Sequence, residues 1–246
     1  MRSLELALDL GALVIENGGP TPAADRAFAS VVDSRGIAGA FVIWRLDTAI
    51  AGTTAADRSC LIRPVRHARV NLRRVAEISA LAERARAGGI GEDALEMEIE
   101  RIERLAPPYG RPTMLALTAC VTGAFSLSQG GDWSSFVITA GAATAGQVLG
   151  AWLQPLKPSA GFATFVSAIV SATIAAVVIH MRMPSVPPAA LTGAVIHLIP
   201  GLPLINGFFD FGADAHFAIG VQRIVSAVFL CALLAIAVAI AVVVTG

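Results

Sequence analysis

The stretch from Pro200 to Asn206, PGLPLIN, places two prolines, a glycine and an asparagine inside a segment that is otherwise apolar enough to cross a membrane. Proline lacks a backbone donor and clashes with the preceding helical turn. In hydrocarbon every backbone group freed in this way needs an internal partner, so interrupted backbone is tolerated only where it is buried or lines a cavity. The stretch therefore predicts an interrupted membrane helix with a candidate functional site at its break.

The composition of the 246-residue chain is that of a membrane protein. Hydrophobic residues make up 55% of it and charged residues only 15%, and the mean hydropathy is +0.70, well outside the usual balance of a soluble domain. Fifteen of the eighteen Lys and Arg, and fifteen of the eighteen Asp and Glu, lie within residues 1–111. We therefore expect a cytoplasmic domain over residues 1–110 and a membrane domain over residues 111–246.

The first 110 residues predict a small α/β domain. Helical periodicity covers residues 4–16, 21–34, 71–87 and 92–105. Two β-like runs, residues 40–46 and 59–65, flank a turn-rich stretch and predict a hairpin or a pair of sheet strands. A basic cluster follows, which is either a patch for anionic lipid or substrate or a positive-inside anchor with a solvated helix face: Arg63, Arg66, His67, Arg69, Arg73 and Arg74. No recognised nucleic-acid-binding motif accompanies it, so nucleic acid is not an expected partner.

Five apolar segments follow, each near the roughly 20 residues that cross a bilayer: residues 113–128, 133–153, 160–180, 188–207 and 224–244. The predicted fold class is an α-helical integral membrane protein with five transmembrane helices, the fourth interrupted, preceded by the small cytoplasmic α/β domain.

Basic residues near the ends of the spans predict their orientation. With the Arg-rich head inside, Arg111, Lys157 and Arg223 fall on the cytoplasmic side and only Arg182 lies outside, in agreement with the positive-inside rule. The N-terminus is therefore expected in the cytoplasm and the C-terminus outside.

In the second span, Gly146 and Gly150 form a GxxxG pair, which predicts a face for close helix packing. The three cysteines, Cys60, Cys120 and Cys231, show no metal-ligand or disulfide spacing, and we interpret them as small apolar fillers. No hydrolase or HExxH motif is present, so neither an enzyme nor a metal or cofactor site is expected.

Polar residues concentrate around the fourth span, where His197 precedes the break and Asn206 and Asp210 follow it. If the helix resumes after the break, Asn206 and Asp210 share one face at i, i+4. Freed carbonyls, an amide and a carboxylate could coordinate a cation, a proton or an amino group, and ionisable groups beside a span are functional candidates. Two other interpretations stay open. Asp210 and Asp214 could lie in a wet loop beside a merely kinked helix, and His197 could be a hydrogen-bonded packing residue.

PGLPLIN, followed by Asp210, Gly220 and Arg223, resembles the signature of the threonine/serine exporter family, specifically its larger, N-terminal half. The resemblance covers essentially the whole chain, including ENGGPT at residues 16–21, RVNLRRVAEI at residues 69–78, the two β-like runs and five spans. It departs at Gly18-Gly19-Pro20-Thr21, where relatives commonly have Gly-Ala-Glu-Ser/Thr. The role of that Glu is therefore missing or passed to Asp25. The spacing between Asp210 and Arg223 is also about one residue longer than the family pattern.

The resemblance implies a transporter that exports small polar metabolites such as threonine and serine, or small dicarboxylates as in some split members. The positions that match the signature are Pro200, Gly201, Pro203, Asn206, Asp210 and Arg223. Because the chain stops after its fifth span, the resemblance further implies the split, two-component form with a separate small membrane subunit. An exposed GxxxG face fits that expectation, and a homo-oligomer is a further possibility.

We therefore expect a subunit of a secondary exporter in the cell (inner or plasma) membrane, with no cofactor. The substrate and ion site is expected at Asn206, Asp210, Pro200, Gly201, Pro203, Arg223 and His197, with Asp210 as the proton-carrying or ammonium-binding carboxylate. The alternative is a membrane-anchored scaffold or sensor whose cytoplasmic head binds a ligand or partner. The sequence decides neither between an amino acid and a dicarboxylate nor which ion is coupled.

Overall fold

A computed structural model describes residues 1–54, 59–66, 70–156, 159–181, 187–212 and 214–246. The chain divides into two compact units. Residues 1–108 and 202–225 form the first, here called the mixed unit because it combines helices with a sheet. Residues 109–201 and 226–246 form the second, here called the helical unit.

Helix α1, Arg2–Glu16, lies at the centre of the mixed unit. Eleven of its fifteen residues are buried, because a helix that is apolar on nearly every side has to be enclosed. Three further helices pack on it: α2, Thr21–Ser34; α3, Leu72–Arg86; and α4, Glu92–Glu103. The four helices predicted from periodicity are confirmed to within a few residues.

The sheet of the mixed unit has three antiparallel strands in the order β1 (Ala40–Trp44), β2 (Thr48–Thr53) and β3 (Cys60–Pro64). Both predicted strands are present, but they do not pair with each other, because β2 lies between them. This strand was missed because its sequence, TAIAGT, is rich in Ala and Gly and has weak strand preference. Its alanines, Ala49 and Ala51, are buried on the sheet that packs against α1.

The predicted basic cluster does not form one free patch. The guanidinium of Arg63 pairs with Asp9 at 2.7 Å and with Glu16 at 3.3 Å. Arg74 donates from Nε to the carbonyl of Leu105 at 2.9 Å. Arg66 and Arg73 are exposed, whereas His67 and Arg69 lie outside the described residues. Burial raises the pKa of Asp9 above its ordinary value, and the charge of Arg63 only partly opposes this effect.

The helical unit contains α5 (Arg111–Ser128), α6 (Trp133–Leu153), α7 (Ala160–His180), α8 (Pro187–Ile196) and the C-terminal part of α10 (Phe217–Thr245). Its contacts depend on small side chains, and one cluster consists of Ala142, Ala175 and Ala194. Small residues let helix backbones approach closely, which is the usual basis of helix association in membranes.

Gly146 and Gly150 lie against α7. A Cβ atom at Gly146 would collide with Ser171 Oγ and would come within 2.7 Å of the Ser167 carbonyl oxygen, and a Cβ atom at Gly150 would approach Ser167 Oγ to 2.7 Å. The prediction of a packing face is confirmed. The expectation that this face is exposed is wrong, because α7 of the same chain covers it.

Three described helices are long and apolar enough to cross a membrane, namely α6, α7 and α10, and the bent pair formed by α8 and α9 (Gly201–Phe211) would supply a fourth. The predicted count of five is not confirmed. The last helix begins at Phe217 rather than near Ile224. All three cysteines are free; Cys60 and Cys120 are exposed and Cys231 is partly buried, so none of them is enclosed in a core.

The residues behind the predicted orientation do not all flank spans. Arg223 is 5% exposed and ion-paired, so it is not the solvated flanking charge that the positive-inside argument requires. Lys157 and Arg182 lie outside the described residues. The orientation of the two termini remains a prediction.

Candidate functional site

The helix break lies at residues 197–200, just before most of PGLPLIN rather than within it. Helix α8 ends at Ile196 and α9 begins at Gly201, directly after Pro200. Pro203 is the third residue of α9, where a missing backbone donor costs no intrahelical hydrogen bond. Pro200, Gly201 and Pro203 therefore set where the second helix starts and present no side-chain polar group.

His197 lies in the break. Both of its ring nitrogens are buried and lack a hydrogen bond of good geometry with the described residues, while the backbone of Ala194, three residues earlier, lies within reach of the ring. The interpretation of His197 as a hydrogen-bonded packing residue stays a prediction. His197 belongs to the helical unit, whereas Asn206, Asp210 and Arg223 belong to the mixed unit.

Helix α9 carries Asn206 and Asp210 one turn apart, and both side chains are buried. Asn206 donates from Nδ2 to the carbonyl oxygen of Gly18 at 2.9 Å. The backbone N–H of Thr21 donates to Asp210 Oδ1 at 3.3 Å. The shared face predicted at i, i+4 is confirmed, and the interpretation of Asp210 as a wet-loop residue is wrong, because its exposure is 0%.

Arg223, on α10, completes the cluster. Its Nε lies 3.2 Å from Asp210 Oδ2, and its Nη2 donates to the carbonyl oxygen of Gly19 at 3.1 Å. Asp210 Oδ2 and Arg223 Nε are close enough for an ion pair, but they do not form a directed hydrogen bond with each other. Asn206, Asp210 and Arg223 thus converge on residues 17–21, called here the glycine loop.

The backbone of the glycine loop requires its glycines. Gly18 has φ +84°, a left-handed conformation that L side chains rarely adopt. A Cβ atom there would lie 2.9 Å from Leu202 Cδ2, on the first turn of α9. On the other side of the cluster, a Cβ atom at Gly220 would lie 3.2 Å from Asp210 Cβ. Glycine at these positions lets α9 and the start of α10 approach the loop.

The N-terminus of α2 contributes a second positive feature beside Arg223. The N-cap residue of α2 is Pro20, whose side chain cannot cap, and the start of a helix carries roughly half a positive charge. The helix therefore begins without the Ser, Thr, Asp or Asn that usually accepts its first backbone donors. Asp210, 189 positions away in the chain, accepts from Thr21 N instead.

Two polar atoms of the glycine loop are buried without partners among the described residues: Asn17 Oδ1 and Thr21 Oγ1. Buried polar atoms are normally hydrogen-bonded, so an unpaired group calls for an explanation. Both lie on the loop that Asp210 and Arg223 contact, so two hydrogen-bond acceptors of this cluster are left unused by the described residues.

A second set of contacts holds the segment after α9. His216 Nε2 lies 2.6 Å from Asp25 Oδ2, and Trp44 Nε1 donates to Asp25 Oδ1 at 2.6 Å. The backbone N–H of Leu46 donates to Gln222 Oε1 at 3.2 Å. Asp25, one turn after Thr21 on α2, thus binds His216.

The sequence did not predict the partners of the site residues. The glycine loop matched the family only in part, and this match did not indicate contact with Asn206, Asp210 and Arg223. One signal was available, because a helix that begins Pro20-Thr21-Pro22 has no capping side chain at its N-cap position and needs an acceptor from elsewhere.

The fold and the site together define a class of protein. The apolar helices point to a multi-pass membrane protein, and ionisable side chains buried in such a chain commonly mark a path for solute or ions. A family model of the threonine/serine exporter (ThrE) family matches residues 5–245. Because that match covers nearly all of the chain, the protein belongs to the threonine/serine exporter family. No curated protein and no solved structure shows significant similarity to it.

Proposed function

We propose that the chain is a subunit of a secondary exporter of small polar metabolites, either threonine/serine-like amino acids or small dicarboxylates. Family membership suggests a membrane exporter of threonine or serine, and a transporter family is consistent with a protein that is not an enzyme. The proposal adds proton coupling and a solute site at the cluster of Asn206, Asp210 and Arg223.

The observation that carries the proposal is the buried ion pair of Asp210 and Arg223. Their side chains are 0% and 5% exposed. Because removing a charge from water costs free energy, charged groups are rarely buried unless they are paired or serve a function. In the proposed cycle, protonation of Asp210 removes its negative charge and weakens its attraction to Arg223 and to the N-terminus of α2. The segment that carries Asp210 is then free to leave the glycine loop, which couples the proton to a rearrangement of α9.

Three further elements belong to the proposal. Residues 1–110 form the cytoplasmic domain and residues 111–246 the membrane domain, of which residues 202–225 pack in the same compact unit as residues 1–108, with the N-terminus inside and the C-terminus outside. A separate small membrane subunit completes the transporter. Support for the partner is the family resemblance, since the GxxxG face that also suggested it is covered by α7. Coexpression with candidate small membrane proteins, followed by co-purification in detergent, tests this part.

Metabolite release by whole cells tests the transport function. Cells loaded with labelled threonine, serine or succinate are compared with and without the chain and its candidate partner. The wild-type protein is expected to increase release in a way that depends on external pH, and Asp210→Asn is expected to abolish that dependence. Glu83→Gln, which makes the same chemical change at an exposed position of α3, is the matched control. Unchanged release by Asp210→Asn at every pH contradicts the proposal.

A membrane-anchored sensor is the second candidate, and one observation favours it. The mixed unit contains an open cavity of about 340 Å³, lined mainly by apolar residues and also by Asp25 and Asp33. A sensor would bind a ligand in this cavity while no solute crosses the membrane. Ligand-dependent thermal stabilisation of the full chain, together with no release of any solute, distinguishes it from an exporter.

A further inference from the structure

The start of α2 and the guanidinium of Arg223 both contact one buried carboxylate, that of Asp210. The start of α2 provides the backbone donor of Thr21 and roughly half a positive charge, and Arg223 provides a full positive charge within 3.2 Å of the same carboxylate. The negative group described at this point is Asp210. Glu16, the nearest acidic residue before the loop, is bound by Arg63 and by the backbone N–H of Arg66. Among the described residues, Asp210 is thus the carboxylate that contacts both the start of α2 and Arg223.

Asp210 fits this site loosely. Its contact with the backbone nitrogen of Thr21 measures 3.3 Å, just beyond the usual range of about 2.7–3.2 Å for N–H···O bonds. Its contact with Arg223 Nε measures 3.2 Å, whereas hydrogen bonds between a cation and a carboxylate are typically about 2.7–2.9 Å long. The contact with Arg223 also lacks the geometry of a hydrogen bond. The carboxylate of a small molecule is not tethered to a helix, so it could approach both donors more closely than the side chain of Asp210.

Unpartnered side chains beside the donors provide the second observation. Thr21 is 0% exposed and Asn17 is 1% exposed, and the oxygens Thr21 Oγ1 and Asn17 Oδ1 have no partner in the part of the chain that is described. Hydroxyl and amide oxygens accept hydrogen bonds from ammonium or hydroxyl groups. The loop therefore offers donors to a carboxylate and, next to them, acceptors to a second polar group of the same small molecule.

We propose that the N-terminus of α2 and Arg223 bind a carboxylate of the transported solute, and that Asp210 occupies this site as an internal substitute until the solute displaces it. The inference rests on the proposed function and deepens it. The carboxylate is common to amino acids and dicarboxylates, so the site recognises the chemistry that both share. Displaced Asp210 is then available to a proton or to the ammonium group of an amino acid.

Ligand-dependent unfolding of the purified full chain in detergent tests the site. In Asp210→Ala the internal carboxylate is gone, so acetate, threonine and succinate should stabilise this variant more than wild type. We expect apparent affinities at least about tenfold higher, which corresponds to the loss of one competing contact. Sodium chloride at equal ionic strength corrects for screening, and Glu83→Ala, which removes an exposed carboxylate, should behave like wild type.

Two further arms make the test decisive. Adding Arg223→Met to Asp210→Ala should abolish the gain for every carboxylate. Wild-type protein should bind threonine but not threonine amide, which lacks the carboxylate, and this comparison requires no variant to fold. Among the ligands, a preference for threonine or serine over succinate identifies an amino acid as the source of the carboxylate, and the reverse preference identifies a dicarboxylate.

The outcomes separate this inference from the proposed function. Equal binding of threonine and its amide, or a folded Asp210→Ala variant that responds to carboxylates no more than wild type, overturns the carboxylate site even where cells export solute. Carboxylate binding of the expected pattern in a protein that supports no release in cells upholds the site and contradicts the exporter.

Discussion

Asp210 and Arg223 show at the residue scale how one contact serves both stability and the proposed chemistry. The pair is buried, so removal of one partner leaves an uncompensated charge in a poorly solvated place. The same buried carboxylate caps a helix that has no capping residue of its own. Replacement of this one carboxylate therefore removes the counter-charge of Arg223 and the cap of α2 together.

A double-mutant cycle measures the strength of this pair. Arg223→Met is expected to destabilise the chain by about 3–5 kcal/mol, because Asp210 is then buried without a counter-charge. The double variant Asp210→Asn, Arg223→Met is expected to lose less free energy of unfolding than the two single variants together, with a coupling of about 0.5–3 kcal/mol. Chemical unfolding in detergent provides the measurement, and strictly additive losses would show that the pair does not interact.

A pair of glycine variants tests the close approach at the glycine loop. Gly18→Ala combines a strained backbone with a contact to Leu202, whereas Gly88→Ala has the same kind of strain, at φ +69°, with nothing within 4 Å. Both changes are expected to destabilise the chain by about 1 kcal/mol, because alanine is strained at a positive φ. Gly18→Ala is expected to cost more, because its methyl group also collides with Leu202. Thermal unfolding of the two variants compares them, and equal losses argue against the close packing.

The pH dependence of stability provides a prediction for Asp9. Since burial raises its pKa above the ordinary value of 3.8, the folded state binds this proton more tightly than the unfolded state. The stability that Asp9 contributes is therefore highest at low pH. It decreases as the pH rises from the ordinary pKa of 3.8 through the raised pKa of the folded state. Asp9→Asn removes this decrease, and unfolding measured across that pH range should show a flatter profile than wild type.

At the scale of elements, glycine residues determine how closely α6 and α7 approach each other. In α6, Gly146 lies against Ser167 and Ser171 of α7, whereas Gly141 on the same helix has no neighbour within 4 Å of a built Cβ atom. Glycine lowers intrinsic helix stability by about 1 kcal/mol relative to alanine, so Gly146 contributes to the contact with α7 and not to helix formation.

Alanine substitutions in α6 test this distinction. Gly141→Ala is expected to leave stability unchanged or raise it by up to about 1 kcal/mol. Gly146→Ala is expected to lower it, because the added methyl group collides with Ser171 and forces α6 and α7 apart. The midpoint of thermal unfolding in detergent reports both effects, and a stabilising Gly146→Ala would show that the two helices do not pack at this position.

At the scale of the whole molecule, residues 202–225 belong to the same compact unit as residues 1–108. Ile219 is 1% exposed within the hydrophobic core of that unit, and Asn206, Asp210 and Arg223 bond to the glycine loop. The mixed unit is therefore built from two distant parts of the chain. Any rearrangement of α9 and the start of α10 acts directly on α2.

Expression of fragments tests this organisation. Residues 1–110 alone are expected to unfold at a lower temperature than residues 1–110 joined by a flexible linker to residues 202–225, because the shorter fragment lacks Ile219 and the cap of α2. Circular dichroism of the two fragments compares their melting. Identical melting would show that the second segment adds no stability to the unit.

Local sequence patterns were enough to predict the apolar helices, the four helices of the mixed unit, two of its three strands and the candidates Asn206, Asp210 and Arg223. These features follow from periodicity, composition and spacing, which act over a few neighbouring residues. Tertiary structure alone decided that β2 lies between the predicted strands, that α7 covers the GxxxG face and that Asp210 caps α2. Each of these depends on contacts between residues far apart in the chain, and the chemistry of a segment does not specify which distant segment will satisfy it.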